Sequence, residues 1–142
     1  MPSINFGEIN WLAVIVVALG AFMLGGMWYG VLFGTPWSKA QGWTDEQVAA
    51  IKAGMSPAKF FGGMIASYLV LATVIALLAN ACSVQNAAHG LVLGAMTWVI
   101  VACVTLTHHL ASGKAMLAFV IDASLELIYL LGMGAVIGAW GV

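Results

Sequence analysis

The chain has no arginine and only four lysines against five acids, so 6% of its 142 residues are charged. Soluble domains carry roughly 25% charged residues, and a shortage of this size excludes a water-soluble fold. So few charges, nearly balanced in sign, also exclude the basic footprint of a nucleic-acid binder. Two cysteines, Cys82 and Cys103, are too few for a disulfide framework. Catalytic punctuation is missing as well: there is no nucleophile elbow, HExxH, P-loop, CxxC or CxxCH. No enzyme is indicated, and no cofactor can be named.

What the chain does have is apolar length. Hydrophobic residues make up 63% of it, and the mean hydropathy is +1.08. Four runs are long enough to cross a bilayer: Trp11 to Phe33, Lys59 to about Cys82, His89 to His109, and Met116 to Trp140. They predict an all-α, polytopic membrane protein, a single domain over residues 1–142. One medium and two short connections order the spans as an up-down-up-down bundle of four transmembrane helices. The first run reads as an anchor, not a cleaved signal, because no Lys or Arg precedes it and it is too long. Lys39, Lys52 and Lys59 flank the first loop and Lys114 lies in the third, while the second loop and both tails have no lysine. By the positive-inside rule, both termini are expected outside an inner membrane.

Local signals in the first loop, residues 35–58, predict an interfacial hairpin. Thr35-Pro36 opens a short helical turn that Gly42 ends. Thr44 and Gln47 make a capping box for a helix to about Ala53, Gly54 closes it, and Ser56-Pro57 opens the second span. Trp37, Trp43, Val48, Ile51 and Met55 would lay this hairpin on the membrane surface. Before it, Gly26, Gly30 and Gly34 recur every fourth residue, a spacing that lets another helix approach closely. Trp28, Tyr29, Phe33 and Trp37 among them read as an interfacial aromatic belt or, alternatively, a ligand surface.

The chemistry is concentrated in the last span, which carries Asp122 and Glu126. An acid inside a spanning helix needs a partner or water. On a helix, Asp122, Glu126, Tyr129, Met133 and Trp140 fall within about 40° of one line, with Gly134, Gly138 and Gly141 on a separate face. In the third span Gly90, Gly94, Thr97, Val101, Thr105 and His108 recur at spacings of four and three. The short turn at residues 111–114 makes these helices antiparallel neighbours and is expected to bring His108 to Asp122, with His109 turned about 100° away. Two acids one turn apart repel, so they are expected to share a proton, His108 serving as exchange partner. Glu126, Asp122, His108, Tyr129 and Thr105 are thus the candidate polar site. Four roles stay open for it: interhelical hydrogen bonding, proton or cation handling, a metal site for which no recognised ligand spacing exists, and a lipid or quinone pocket.

The run GGMWYGVLFGTPW, residues 25–37, resembles the hallmark of the domain of unknown function 1761 family of small four-helix bacterial membrane proteins. The matching positions are Trp28, Tyr29, Gly30, Leu32, Phe33, Gly34 and Trp37; many relatives have proline where this chain has Val31. The resemblance covers essentially the whole chain. It implies four spans with a loop after the first, and it implies no activity. Two classes of function follow from the residues: an accessory, assembly or self-associating structural protein, or a small proton- or cation-coupled transporter or channel. The expected partners are the lipid bilayer and either further copies of the chain or a larger membrane complex.

Overall fold

A computed structural model describes residues 5–141 and is helical throughout apart from short connections. After a 3₁₀ turn at Phe6–Glu8, α1 runs over Trp11–Met27 and continues through a π-helical turn at Trp28–Leu32. Two short helices follow, α2 (Gly34–Ala40) and α3 (Asp45–Gly54). Three long helices complete the chain: α4 (Pro57–Ala81), α5 (Ala87–Ala111) and α6 (Met116–Trp140). Among the described residues, four helices are long and apolar enough to cross a membrane: Trp11–Leu32, Pro57–Ala81, Ala87–Ala111 and Met116–Trp140. A 25-residue helix is about 37 Å long, which exceeds the ~30 Å hydrocarbon core.

Cross-contacts set the directions. Asn80 at the end of α4 donates to Glu8 before α1 (3.0 Å), and Asn10 reaches the carbonyl of Trp140 at the end of α6 (3.5 Å). Both α4 and α6 therefore run antiparallel to α1, and α5, joined to each by a tight turn, runs parallel to it. Helix α6 lies at the centre, touching α1, α2, α4 and α5. Its buried Leu130, Met133 and Ile137 pack with Val14 and Ala18 of α1 and with Ala72, Ile75 and Ala76 of α4. Small side chains on α1 and α4 let the backbones close up, the usual solution where lipid removes the hydrophobic drive.

The α5–α6 pair is closer still. A Cβ on Gly90 would collide with the carbonyl oxygen of Gly134, and one on Gly94 with the carbonyl oxygen of Leu130. The two predicted glycine faces, of α5 and α6, thus meet each other. Gly141 is the exception, ending α6 at φ 80°.

The loop's local signals hold in part: α2 starts at Gly34 behind Phe33, not at a Thr35 cap, α3 includes Gly54, and Ser56 precedes α4 without a side-chain capping bond. Both arms of the Thr44–Gln47 capping box form (3.2 and 2.9 Å), Gly42 takes φ 82°, and Pro57 opens α4. The third span is longer than expected at its start, because the Asn86 side chain caps α5 by accepting from the His89 amide at 2.9 Å.

The glycine series of the first span behaves differently. A Cβ on Gly26 or on Gly30 would meet nothing within 4 Å, whereas Gly25 is buried against the Tyr68 hydroxyl. The π turn, closed by the Phe33 amide on the Trp28 carbonyl (2.7 Å), adds a residue to the helical turn. That extra residue breaks the four-residue phase on which a single Gly26, Gly30 and Gly34 face depended. Gly34 has a separate requirement: a Cβ there would strike the Tyr29 carbonyl oxygen.

Candidate functional site

The π turn and α2 fold the end of the first span back onto α6. Trp28 then donates its indole N–H to the Ile121 carbonyl (3.1 Å), and Tyr29 donates its hydroxyl to Asp122 Oδ1 (2.5 Å). Trp37, on α2, donates to the same oxygen at 2.7 Å. From the other side Trp98 of α5 donates to the Ala123 carbonyl at 2.8 Å. One turn of α6, residues 121–123, therefore accepts three indole N–H groups and one phenol. A helical carbonyl keeps a free lone pair after its intrahelical bond, and a buried indole N–H in lipid has few other acceptors. The rings also brace one another. Tyr29 and Trp37 meet edge to face at 5.1 Å between centroids, and Trp37 meets Trp43 at 5.3 Å. The expected interfacial belt is thus turned inward at Trp28, Tyr29 and Trp37. Phe33 stacks on Trp28 at 4.5 Å, supporting the turn from below.

Asp122 has a third partner, and it is His109, not His108. His109 is 8% exposed, and its Nε2 lies 3.3 Å from Asp122 Oδ2. That is ion-pair distance, though not hydrogen-bond alignment. His108 is exposed and ends outside the site. The physical reason lies in the faces. The glycine seam of α5 meets Leu130 and Gly134 of α6, and Asp122 sits about a third of a turn away from that seam. The histidine that reaches it must be displaced from the α5 seam by a similar angle, which selects His109. His109 Nδ1 is 3.0 Å from the Thr105 carbonyl. A carbonyl only accepts, so this nitrogen carries hydrogen and Nε2 is left facing the carboxylate. The ring also meets Phe119 edge-on at 6.0 Å.

Glu126 is less well served. Thr105 Oγ1 donates to its Oε1 at 3.3 Å, while Oε2 is buried with no hydrogen-bond partner. Thr105 thus serves both halves of the site, its hydroxyl on Glu126 and its carbonyl on His109. Tyr129, one turn beyond Glu126, pairs edge to face with Tyr68 of α4 at 5.4 Å. Tyr29, Tyr68 and Tyr129 all lie within electrostatic range of the Glu126 carboxyl. Of the other partners open to these acids, Thr97 bonds back to its own helix at Leu93 and Trp98 goes to backbone.

Of the sequence-derived candidates, the structure brings together Asp122, Glu126, Thr105 and Tyr129 with Tyr29 and Trp37, and leaves His108 out. Among the described residues no three His, Cys, Asp or Glu side chains gather as a metal site. Among the described residues, one apolar groove of ≈470 Å³ faces outward along Ala66, Val70 and Val74 of α4, and another of ≈330 Å³ between Gly20 of α1 and Tyr129 and Gly132 of α6.

No curated protein and no solved structure matches the chain. A family model described as "Protein of unknown function (DUF1761)" matches residues 12–138. That match runs from the first turn of α1 almost to the end of α6, and so includes the aromatic run, Asp122 and Glu126. The chain belongs to the DUF1761 family.

Proposed function

We propose that the protein is a non-catalytic structural component of the bacterial inner membrane, an accessory or assembly subunit that associates with further copies or with a larger membrane complex. The observation that carries this reading is the use of the family's polar aromatics. Trp28, Tyr29 and Trp37 each direct their hydrogen-bonding group onto α6, so the hallmark closes the fold instead of presenting donors to a ligand. The outward faces then hold Gly26 on α1, Gly30 in the π turn, and Gly62 and Gly63 on α4, where an added Cβ would meet nothing within 4 Å. Open glycines of this kind suit close approach by another membrane helix. Four lysines in the first and third loops support an orientation with both termini outside.

One observation favours a second reading. The unpartnered Glu126 Oε2 suits a small proton- or cation-coupled transporter in which this acid carries the coupling ion. Native mass spectrometry of the protein extracted from its own membrane, paired with liposome flux assays of Glu126→Gln, separates the two. Recovery in a larger assembly, with a silent substitution, supports the structural role. An autonomous unit whose flux is abolished by the substitution overturns it in favour of transport.

A further inference from the structure

The two acids of α6 sit one turn apart but in different company. Asp122 receives the Tyr29 hydroxyl and the Trp37 indole on Oδ1, and His109 Nε2 faces its Oδ2 at 3.3 Å. Two donors on one oxygen and an imidazole at the other are the surroundings of an ionised carboxylate. With Nδ1 already holding a hydrogen for the Thr105 carbonyl, a proton on Nε2 makes His109 the matching cation. Glu126 has one long bond from Thr105 and one buried oxygen with nothing opposite it. A charge there would lie in the hydrocarbon region with no cation against it and one neutral donor. A neutral acid leaves only an unpaired polar group, a far smaller penalty.

We infer that Glu126 is a proton-binding site: it holds its proton within the membrane while Asp122 stays ionised against His109. The groups facing Glu126 are Thr105 and His109 of α5, Tyr68 of α4, Tyr29 of the π turn, and Asp122 and Tyr129 of its own helix. None of these is a cation free to neutralise it, because His109 already lies at ion-pair distance from Asp122. Tyr129 also lines the outward groove between α1 and α6, which gives a lipid-soluble reagent an approach to within one turn of the acid. The inference goes beyond the proposed function and holds whether the chain docks a complex or moves an ion.

Dicyclohexylcarbodiimide tests it, because this apolar reagent reacts with carboxyl groups that carry a proton. The carboxyl O–H adds across one C=N bond: a new C–O bond forms and the proton moves to nitrogen. The acyl group then migrates from oxygen to the neighbouring nitrogen, giving a stable acylurea with no leaving group. The full chain in native membranes is treated at neutral pH and the adduct is mapped by peptide mass spectrometry. The expected adduct is on Glu126, absent from Asp122, and lost in Glu126→Gln, whose neutral amide preserves the fold. An adduct on Asp122 overturns the assignment. If neither acid is labelled, the infrared band of un-ionised carboxyl decides. Its presence in the wild type and loss in Glu126→Gln supports the assignment, and its absence from the wild type overturns it. These readouts are independent of the oligomeric mass and flux that test the proposed function.

Discussion

Alanine at Gly90 and alanine at Gly30 are chemically the same change, and the fold gives them opposite signs. Replacing a mid-helix glycine by alanine should stabilise a helix by about 1 kcal/mol wherever space allows. At Gly30 an ideal Cβ meets nothing within 4 Å, so Gly30→Ala should keep that gain. At Gly90 the Cβ overlaps the Gly134 carbonyl oxygen and comes within 2.7 Å of its carbon, where ordinary contact begins at 3.4 Å. The obstructing atoms are backbone of a packed helix, so relief requires α5 to retreat from α6 as a body. Overpacking costs typically 1–3 kcal/mol, and a backbone collision belongs at the upper end of that range. The net loss at Gly90 is then about 2 kcal/mol and the difference between the two variants about 3 kcal/mol, roughly a hundredfold in the unfolding equilibrium. Retreat of α5 would also stretch the Trp98 and Thr105 bonds and the His109 contact. Reversible unfolding in mild detergent, followed by tryptophan fluorescence, reads the difference. Equal losses at the two positions in the isolated single chain, where no partner covers Gly30, would show that the α5–α6 collision does not set the cost.

The remaining substitutions probe the polar site. His109→Ala removes the buried imidazole facing Asp122 and should destabilise the protein by about 1–3 kcal/mol, as for a buried polar group that loses a partner, whereas His108→Ala should lie within about 0.5 kcal/mol of wild type, as for a surface change. Denaturant titration ranks the two, and a larger effect at His108 would restore the partner expected from periodicity. Trp28→Phe removes the bond to the Ile121 carbonyl and should cost about 0.5–1.5 kcal/mol, measurable in the same titration. Gly34→Ala drives a Cβ into the Tyr29 carbonyl and should cost about 1–3 kcal/mol by overpacking, together with protection of the Trp37 indole N–H from hydrogen exchange. Unchanged exchange at that indole would show that α2 does not depend on the glycine.

The spans and the capping box were legible because each is a local pattern, and so were the α5 and α6 glycine faces taken singly; that these faces meet each other instead of serving self-association was not. Hydropathy over twenty residues, a Thr44–Gln47 spacing and a 100° rotation need no knowledge of a neighbour. The aromatic run was legible as a motif but not as a clamp. Its role depends on the π turn at Trp28–Leu32, whose single extra residue leaves no compositional mark and turns Trp37 onto Asp122. Gly26 and Gly30 face outward, and Gly25 is the glycine that is buried. The histidine was misplaced for a different reason. Periodicity ranks His108 on the α5 seam, yet Asp122 lies to the side of the α6 seam, so the partner had to be the off-seam His109. A signal was present in the sequence: the acids and Gly134 already fell on different faces of α6, and the histidine had to follow the acids.

The family's aromatic run and the intramembrane Asp122 form one hydrogen-bonded unit. Double-mutant cycles test it most directly, pairing Trp37→Phe, and separately Tyr29→Phe, with Asp122→Asn in detergent unfolding. Bonds to a charged group contribute about 1.5–3 kcal/mol, and interhelical bonds in membranes average about 0.6 with a maximum near 1.7. Each cycle is therefore expected to give a coupling of about 1–2 kcal/mol, allowing for the weaker bond that asparagine retains. Single effects that add to within about 0.3 kcal/mol in both cycles would contradict the account, separating the hallmark aromatics energetically from the acid they surround.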